Sequence, residues 1–423
     1  MYIRQSKLRH LREYQYSGVD HSLVSRYILK PFYTNVFIHV FPMSMAPNLI
    51  TLTGFLFVVV NFLTLLWYNP TLEQDCPSWV YASFGVGLFL YQTFDACDGA
   101  QARRTGQSGP LGELFDHGVD AINTTLGCII FAGAVNLGQS WSTLLTAFAS
   151  LCAFYLTTWE EYHTGTLYLG IVSGPVEGVL TLCGVYFMTA IKGGSFWHRP
   201  ALAEMGIDAE WMPVEAKNMT FITWWLVYGG VMLGFNVVQS SINVIRARNA
   251  KGLSAIPALM GLAPFFVTWA AIPGWLYLRQ EILKQHLIPF LFFVGIAFAY
   301  QVGLIITAHL TKSPFPFVNV LFMPIVAGLL DAAGPALGLG WKSVLGEGHY
   351  EIAYVFACLG LAIGVHGSFV VDVITNICDY LDIWCLTIKH PKVPGAKAPA
   401  TVEAKPEPKV ESSAVTRELR RRK

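Results

Sequence analysis

The sequence predicts an all-α polytopic membrane protein of about ten transmembrane helices, with an interfacial amphipathic helix before the first span. Three observations carry that expectation. Hydrophobic residues make up 54% of the 423 residues and charged ones 13%, a balance too apolar for a water-soluble surface of ordinary make-up. The apolar residues come in blocks of about 20, the length a helix needs to cross a hydrocarbon core, separated by short polar or Gly/Pro-containing breaks. Lys and Arg also gather on one set of connections, as they do on loops retained in the cytoplasm during insertion.

Taken in order, residues 1–48 form a cytoplasmic N-terminus whose end, SRYILKPFYTNVFIHVFPMSMAPNLI, mixes Tyr, Phe, Arg and Lys with apolar residues. That mixture suits a helix lying in the interface with aromatics at headgroup depth, and Pro42 and Pro47 break it before the membrane is entered. The spans follow at residues 49–68, 79–96, 114–137, 141–159, 168–191, 221–245, 255–278, 287–310, 317–339 and 352–377, within a membrane domain of 49–390. The last segment, 391–423, is rich in Pro, Ala, Lys and Glu with almost nothing to bury, and reads as a disordered cytoplasmic tail.

Placing both termini in the cytoplasm puts Arg4, Lys7, Arg9, Arg12, Arg26, Lys30, Arg103, Arg104, Arg246, Arg248, Lys251, Lys312 and the basic tail on that side. It leaves Lys192, Arg199, Lys217, Arg279, Lys284 and Lys342 opposite, an asymmetry that favours an even number of spans. The net charge of +1 says nothing about partners, and no nucleic acid is expected. The eight cysteines lie mostly within spans and imply no disulfide framework. The charged first residues do not resemble a cleavable signal peptide, so the first span is expected to serve as the insertion signal.

Between the second and third spans runs TFDACDGAQARRTGQSGPLGELFDHGVD. An Asp near a helix centre costs about 2.5 to 3.5 kcal/mol on the insertion scale, so four of them persist only with compensation. Asp95 and Asp98 are three residues apart and share a helix face, while Gly112, Asp116 and Asp120 are four apart in turn and form a stripe. Gly106, Gly109 and Pro110 lie between them as turn formers, so an antiparallel hairpin brings both faces together. Converging carboxylates stay ionised when cations hold them, and a purely oxygen set suits two Mg²⁺ or Mn²⁺ ions rather than zinc. Such a pair neutralises charge in displacement at phosphorus. Small Gly99 and Ala102 let a ligand approach the helix, and Arg103 offers a fork for phosphate oxygens.

The run Asp95-x₂-Asp98-Gly99-x₂-Ala102-Arg103-x₈-Gly112-x₃-Asp116-x₃-Asp120 resembles the signature of the CDP-alcohol phosphotransferases at all eight fixed residues across 26 positions. APNLITLTGF, TTWEEYHTGTLYLG and TAHLTKSPFP are similar to wording in its eukaryotic choline/ethanolamine phosphotransferase branch, over about residues 14–390. The resemblance implies a ten-helix enzyme of the endoplasmic reticulum or Golgi membrane. It would transfer phosphocholine or phosphoethanolamine from CDP-choline or CDP-ethanolamine to diacylglycerol, releasing CMP. It also implies that Asp95, Asp98, Asp116 and Asp120 bind two metal ions, that Asn48, Gly99, Ala102 and Arg103 lie against the CDP-alcohol, and that the protein is a homodimer.

His117 follows Asp116, and Glu113 lies four residues before it on the same helix, within reach of a hydrogen bond. A carboxylate that orients an imidazole builds a general base near neutral pH, which makes His117 the expected base, Glu113 its orienter and Asp120 the alternative base. Glu177 is expected well inside the fifth span, as a head-group candidate or as a partner to another span. Glu160, Glu161 and His163 fall at an expected cytoplasmic turn. The competing class is a cation-coupled transporter, but transport sites tend to lie at the midplane between repeats, not in one hairpin at one surface.

Overall fold

The computed structural model describes residues 2–14, 17–20, 22, 24–169, 175–207, 211–338, 340–346 and 348–391. Among them, ten long helices occupy the ten expected blocks: α1 (Pro47–Tyr68), α2 (Ser78–Thr105), α3 (Pro110–Ala134), α4 (Trp141–Thr164), α5 (Pro175–Lys192), α6 (Phe221–Ala250), α7 (Ile256–Leu278), α8 (Leu287–Leu310), α9 (Phe322–Ala336) and α10 (His349–Leu381). Six of these, α1, α4, α6, α7, α8 and α10, are long and apolar enough to cross a membrane by length and composition. The others are shorter or carry the polar stretches: α2 and α3 hold the Asp-rich run, and α9 has 15 residues. The fold is that of an all-α polytopic membrane protein.

Local chemistry sets several boundaries. Pro47 and Pro110 open α1 and α3, where a missing N–H costs nothing. Gly106 closes α2 with φ 73°, a left-handed conformation that glycine adopts without a Cβ penalty. Ser140 and Thr220 cap α4 and α6, each accepting from the N–H three residues on. All eight cysteines are free thiols.

Two expectations about extent need correction. The segment before α1 is helical over residues 24–35, wound more widely at Ser25–Leu29 before Lys30–Asn35, and a separate short turn of helix follows at Phe37–Val40. Pro31, in the first turn of Lys30–Asn35, has no N–H to continue an α-helical ladder. The segment is nonetheless two-faced, with Leu29, Tyr33, Ile38 and Phe41 buried against Ile50 and Cys97, and Tyr27, Ile28, Val36 and Val40 exposed. The fifth block differs at its near end: Leu167–Leu169 pairs in parallel with Gly18–Asp20, residues 170–174 lie outside the described residues, and the helix is described over Pro175–Lys192.

The bundle is organised around α8, the most buried of the spans, which packs on α3, α4 and α10. Close approach there depends on a small residue, since a Cβ on Gly295 would lie 2.4 Å from the Thr125 side chain of α3. On the other side α1 packs on both α2 and α3, more closely than those two pack on each other. The hairpin arms therefore touch each other little, and Asp95 and Asp98 of one converge with Asp116 of the other.

Candidate active site

Asp95 and Asp98 come from α2 and Asp116 from α3, and one ligand oxygen of each lies within 4.8 Å of the others. The turn closes tightly, with the Gln107 N–H donating to the Ala102 carbonyl at 2.8 Å. Asp95 Oδ1 and Asp116 Oδ1 are buried without a hydrogen-bond partner. Buried carboxylate oxygens without donors are strongly destabilising unless a cation balances them. An octahedral Mg²⁺ at about 2.1 Å places its ligands roughly 3 to 4 Å apart, so this spacing fits a divalent ion held by oxygen. Two other carboxylate oxygens accept hydrogen bonds: the Thr51 hydroxyl of α1 donates to Asp98 Oδ2, and the Tyr91 hydroxyl of α2 donates to Asp120 Oδ1.

Asp120 thus stands at the edge of the group, one helical turn beyond Asp116 and tied to Tyr91. Gly99 lies beside Arg103, whose guanidinium Nη1 would be 3.5 Å from a Cβ at that position. Arg103 itself is exposed, whereas Arg104 is used structurally, donating to the Ile38 and Phe41 carbonyls at 3.0 and 3.1 Å. Ala102 is half-buried one turn beyond Asp98. Asn48 stands beside Gly112, its Oδ1 4.0 Å from where a Cβ would stand. Its Nδ2 donates to the Cys385 carbonyl at 3.1 Å, a restraint from a part of the chain that hydropathy does not connect to it.

The expected Glu113–His117 hydrogen bond is not formed. Glu113 Oε1 and His117 Nδ1 are both buried and unpartnered, and Glu113 instead groups with Glu161 of α4 and His309 of α8. The cause is tertiary: helical spacing allows the bond within α3, but α4 and α8 bring polar side chains against the same turn. Glu160 and Glu161 are not at a solvated turn. Helix α4 runs on to Thr164 and buries both, with Glu160 Oε1 accepting from Asn243 Nδ2 at 2.7 Å.

Glu177 occupies the first turn of the described α5, where Oε1 accepts from the Ser22 hydroxyl and Oε2 has no partner. Sequence reading missed Thr51, Tyr91, Glu161 and His309 as neighbours of the acidic run. Thr51 and His309 do lie inside the stretches APNLITLTGF and TAHLTKSPFP, which was the available signal.

Comparison with known proteins adds an independent finding. A family model described as CDP-alcohol phosphatidyltransferase matches residues 44–203. An uncharacterized CDP-alcohol phosphatidyltransferase class-I family protein of Schizosaccharomyces pombe is 44% identical over 407 residues, covering 94% of this chain and 100% of its own. In Saccharomyces cerevisiae, cholinephosphotransferase 1 is 41% identical over 399 residues, covering 92% of this chain and 99% of its own. Choline/ethanolaminephosphotransferase 1 of the same yeast is also 41% identical, over 403 residues, with 93% and 99% covered.

Proposed function

The chain belongs to the CDP-alcohol phosphatidyltransferase family, and from that premise we propose that this transferase moves phosphocholine or phosphoethanolamine from the CDP-alcohol to the hydroxyl of diacylglycerol. Phosphatidylcholine or phosphatidylethanolamine forms and CMP leaves. The observation that carries the reading is the convergence of Asp95, Asp98 and Asp116 with two buried oxygens unsatisfied. A site of that kind answers to a cation and, beside Arg103, to a diphosphate.

In this reading Asp95, Asp98 and Asp116, with Asp120 at the edge, would hold two Mg²⁺ or Mn²⁺ ions. When bound, such ions neutralise charge on the transferring phosphate and on the departing CMP. Thr51 and Tyr91 orient Asp98 and Asp120 through their hydroxyls. Arg103 pairs with phosphate oxygens over the open face of Gly99, and Asn48 and Ala102 border the nucleotide. His117, with Nδ1 unpartnered one residue after Asp116, takes the proton from the lipid hydroxyl. Glu113 is not bonded to it and is left out of that step. Residues 49–390 carry the reaction, in the membrane of the endoplasmic reticulum or Golgi with both termini cytoplasmic; the Lys/Arg asymmetry supports that orientation.

The transport reading finds less support, because the acidic site sits on two unbroken helices, whereas ion sites in transporters are typically built on discontinuous ones. The deciding experiment gives the purified chain diacylglycerol, Mg²⁺ and either CDP-choline or CDP-ethanolamine. We expect CMP release with at least one nucleotide and its loss on adding EDTA. No release with either, in Mg²⁺ or Mn²⁺, together with cation-driven uptake into vesicles, would overturn the proposal. Turnover of the two nucleotides side by side gives the head-group preference.

A further inference from the structure

Glu113 in the first turn of α3, Glu161 in the last turn of α4 and His309 in the last turn of α8 meet at the same end of the bundle as the Asp-rich turn. One ligand atom of each lies within 4.8 Å of the other two. Glu113 and Glu161 are 9% and 5% exposed, so neither carboxylate has bulk water to balance it. Among the described residues neither pairs with Lys or Arg, no hydrogen bond joins the three side chains, and Glu113 Oε1 is buried with no partner. Two buried carboxylates held this close, yet not bonded to each other or to the imidazole, leave an electronegative gap at their centre.

We propose that Glu113, Glu161 and His309 form a binding site for one divalent transition-metal ion, separate from the ions of the aspartate group. Three ligands of type O, O and N are a common protein set for Mn²⁺, Fe²⁺ or Zn²⁺ with an open position for water. The imidazole separates this site from its neighbour, whose all-oxygen ligands suit Mg²⁺. Its position accounts for Glu113 not bonding to His117, and it ties together the three helices α3, α4 and α8, which pack on one another. The inference does not rest on the transfer reaction: it concerns different side chains and is read by metal content.

The test is metal stoichiometry on the purified full-length chain, stripped with chelator, equilibrated with Mn²⁺ or Zn²⁺, desalted and measured by plasma mass spectrometry. We expect the double variant Asp95→Asn/Asp116→Asn to retain one tightly held ion per chain. Adding Glu161→Gln or His309→Asn to it is expected to weaken that binding by at least about tenfold. The proposal is overturned if the double variant holds no ion, or if its ion survives both further substitutions unchanged. It is equally overturned if Glu161→Gln leaves metal content intact while shifting the choline to ethanolamine turnover ratio, which would make the cluster a head-group subsite. Should Glu161→Gln not fold, His309→Asn and the metal content of the double variant decide alone.

Discussion

At the level of single residues, the acidic run divides into side chains that need a cation and side chains already held by the protein. Asp95 and Asp116 carry unsatisfied oxygens, whereas Asp98 and Asp120 each accept a hydroxyl. Thr51→Val removes the donor to Asp98 while keeping the shape. Loss of a residue that orients a metal ligand typically weakens metal affinity or activity about 10- to 100-fold. The Mg²⁺ concentration for half-maximal CMP release should therefore rise by about tenfold or more; an unchanged Mg²⁺ curve would mean that Thr51 does not hold Asp98. The base assignment is tested separately. His117→Ala should lower kcat by about 10² to 10⁴ with little change in the Mg²⁺ curve, and an active His117→Ala beside an inactive Asp120→Asn would move the role to Asp120. The four aspartates were legible because helical spacing and turn formers place them on facing stripes within 26 residues. Thr51, Glu161 and His309 were not, because periodicity within one helix carries no information about which other helix will stand against it.

Among the helices, the same limit shows in the opposite sense. Hydropathy located ten elements, since length and apolar content are properties of a single segment. It placed several ends closely, such as Leu310 and Leu278, but took residues 168–169 into a helix where Leu167–Leu169 is a strand. It placed Glu160 and Glu161 at a cytoplasmic turn, whereas α4 runs on to Thr164 and buries both, with α6 and α8 packed beside it. Contacts between elements also set where substitution is tolerated. A Cβ at Gly295 would meet Thr125 at 2.4 Å, whereas one at Gly360 meets nothing within 4 Å. Gly295→Ala should therefore force α8 from α3 and cost about 1 to 3 kcal/mol. Gly360→Ala should be neutral or stabilising by up to about 1 kcal/mol. Thermal melts of the two variants in the same detergent check the contrast, and equal melting temperatures would show that α8 and α3 have room to part.

Across the whole molecule, the two ends of the described chain are fastened to the site from opposite directions. The N-terminal segment is gripped by α2, with Gln101 Nε2 donating to the Pro42 and Met45 carbonyls at 2.9 and 3.0 Å. Beyond α10 the chain returns over the start of α1. Met45 forms a bridge with Thr387, the Cys385 carbonyl accepts from Asn48, and the His390 carbonyl accepts from Gln107 at 3.4 Å. Asp382 clasps the return: hydrogen bonds from Lys389 and His390 hold its carboxyl below the usual range. This strap positions Asn48 and the turn after α2, yet it is built from residues more than 330 positions away from Asn48 in the chain. Residues 392–423 lie outside the described structure. Two truncations separate the strap's contribution from that of residues 392–423. Ending the chain after residue 391 should leave turnover within about twofold of the full-length protein. Ending it after Asp382 removes the carbonyls that hold Asn48 and Gln107, at about 0.5 to 1.5 kcal/mol each. Both bonds together amount to about 1 to 3 kcal/mol, so KM for the CDP-alcohol should rise roughly 5- to 150-fold while the Mg²⁺ curve changes little, since among the described residues no strap residue bonds to the carboxylates. Initial rates against nucleotide concentration for both truncations decide it, and an unchanged KM after the shorter truncation would mean that Asn48 is held in place without the strap.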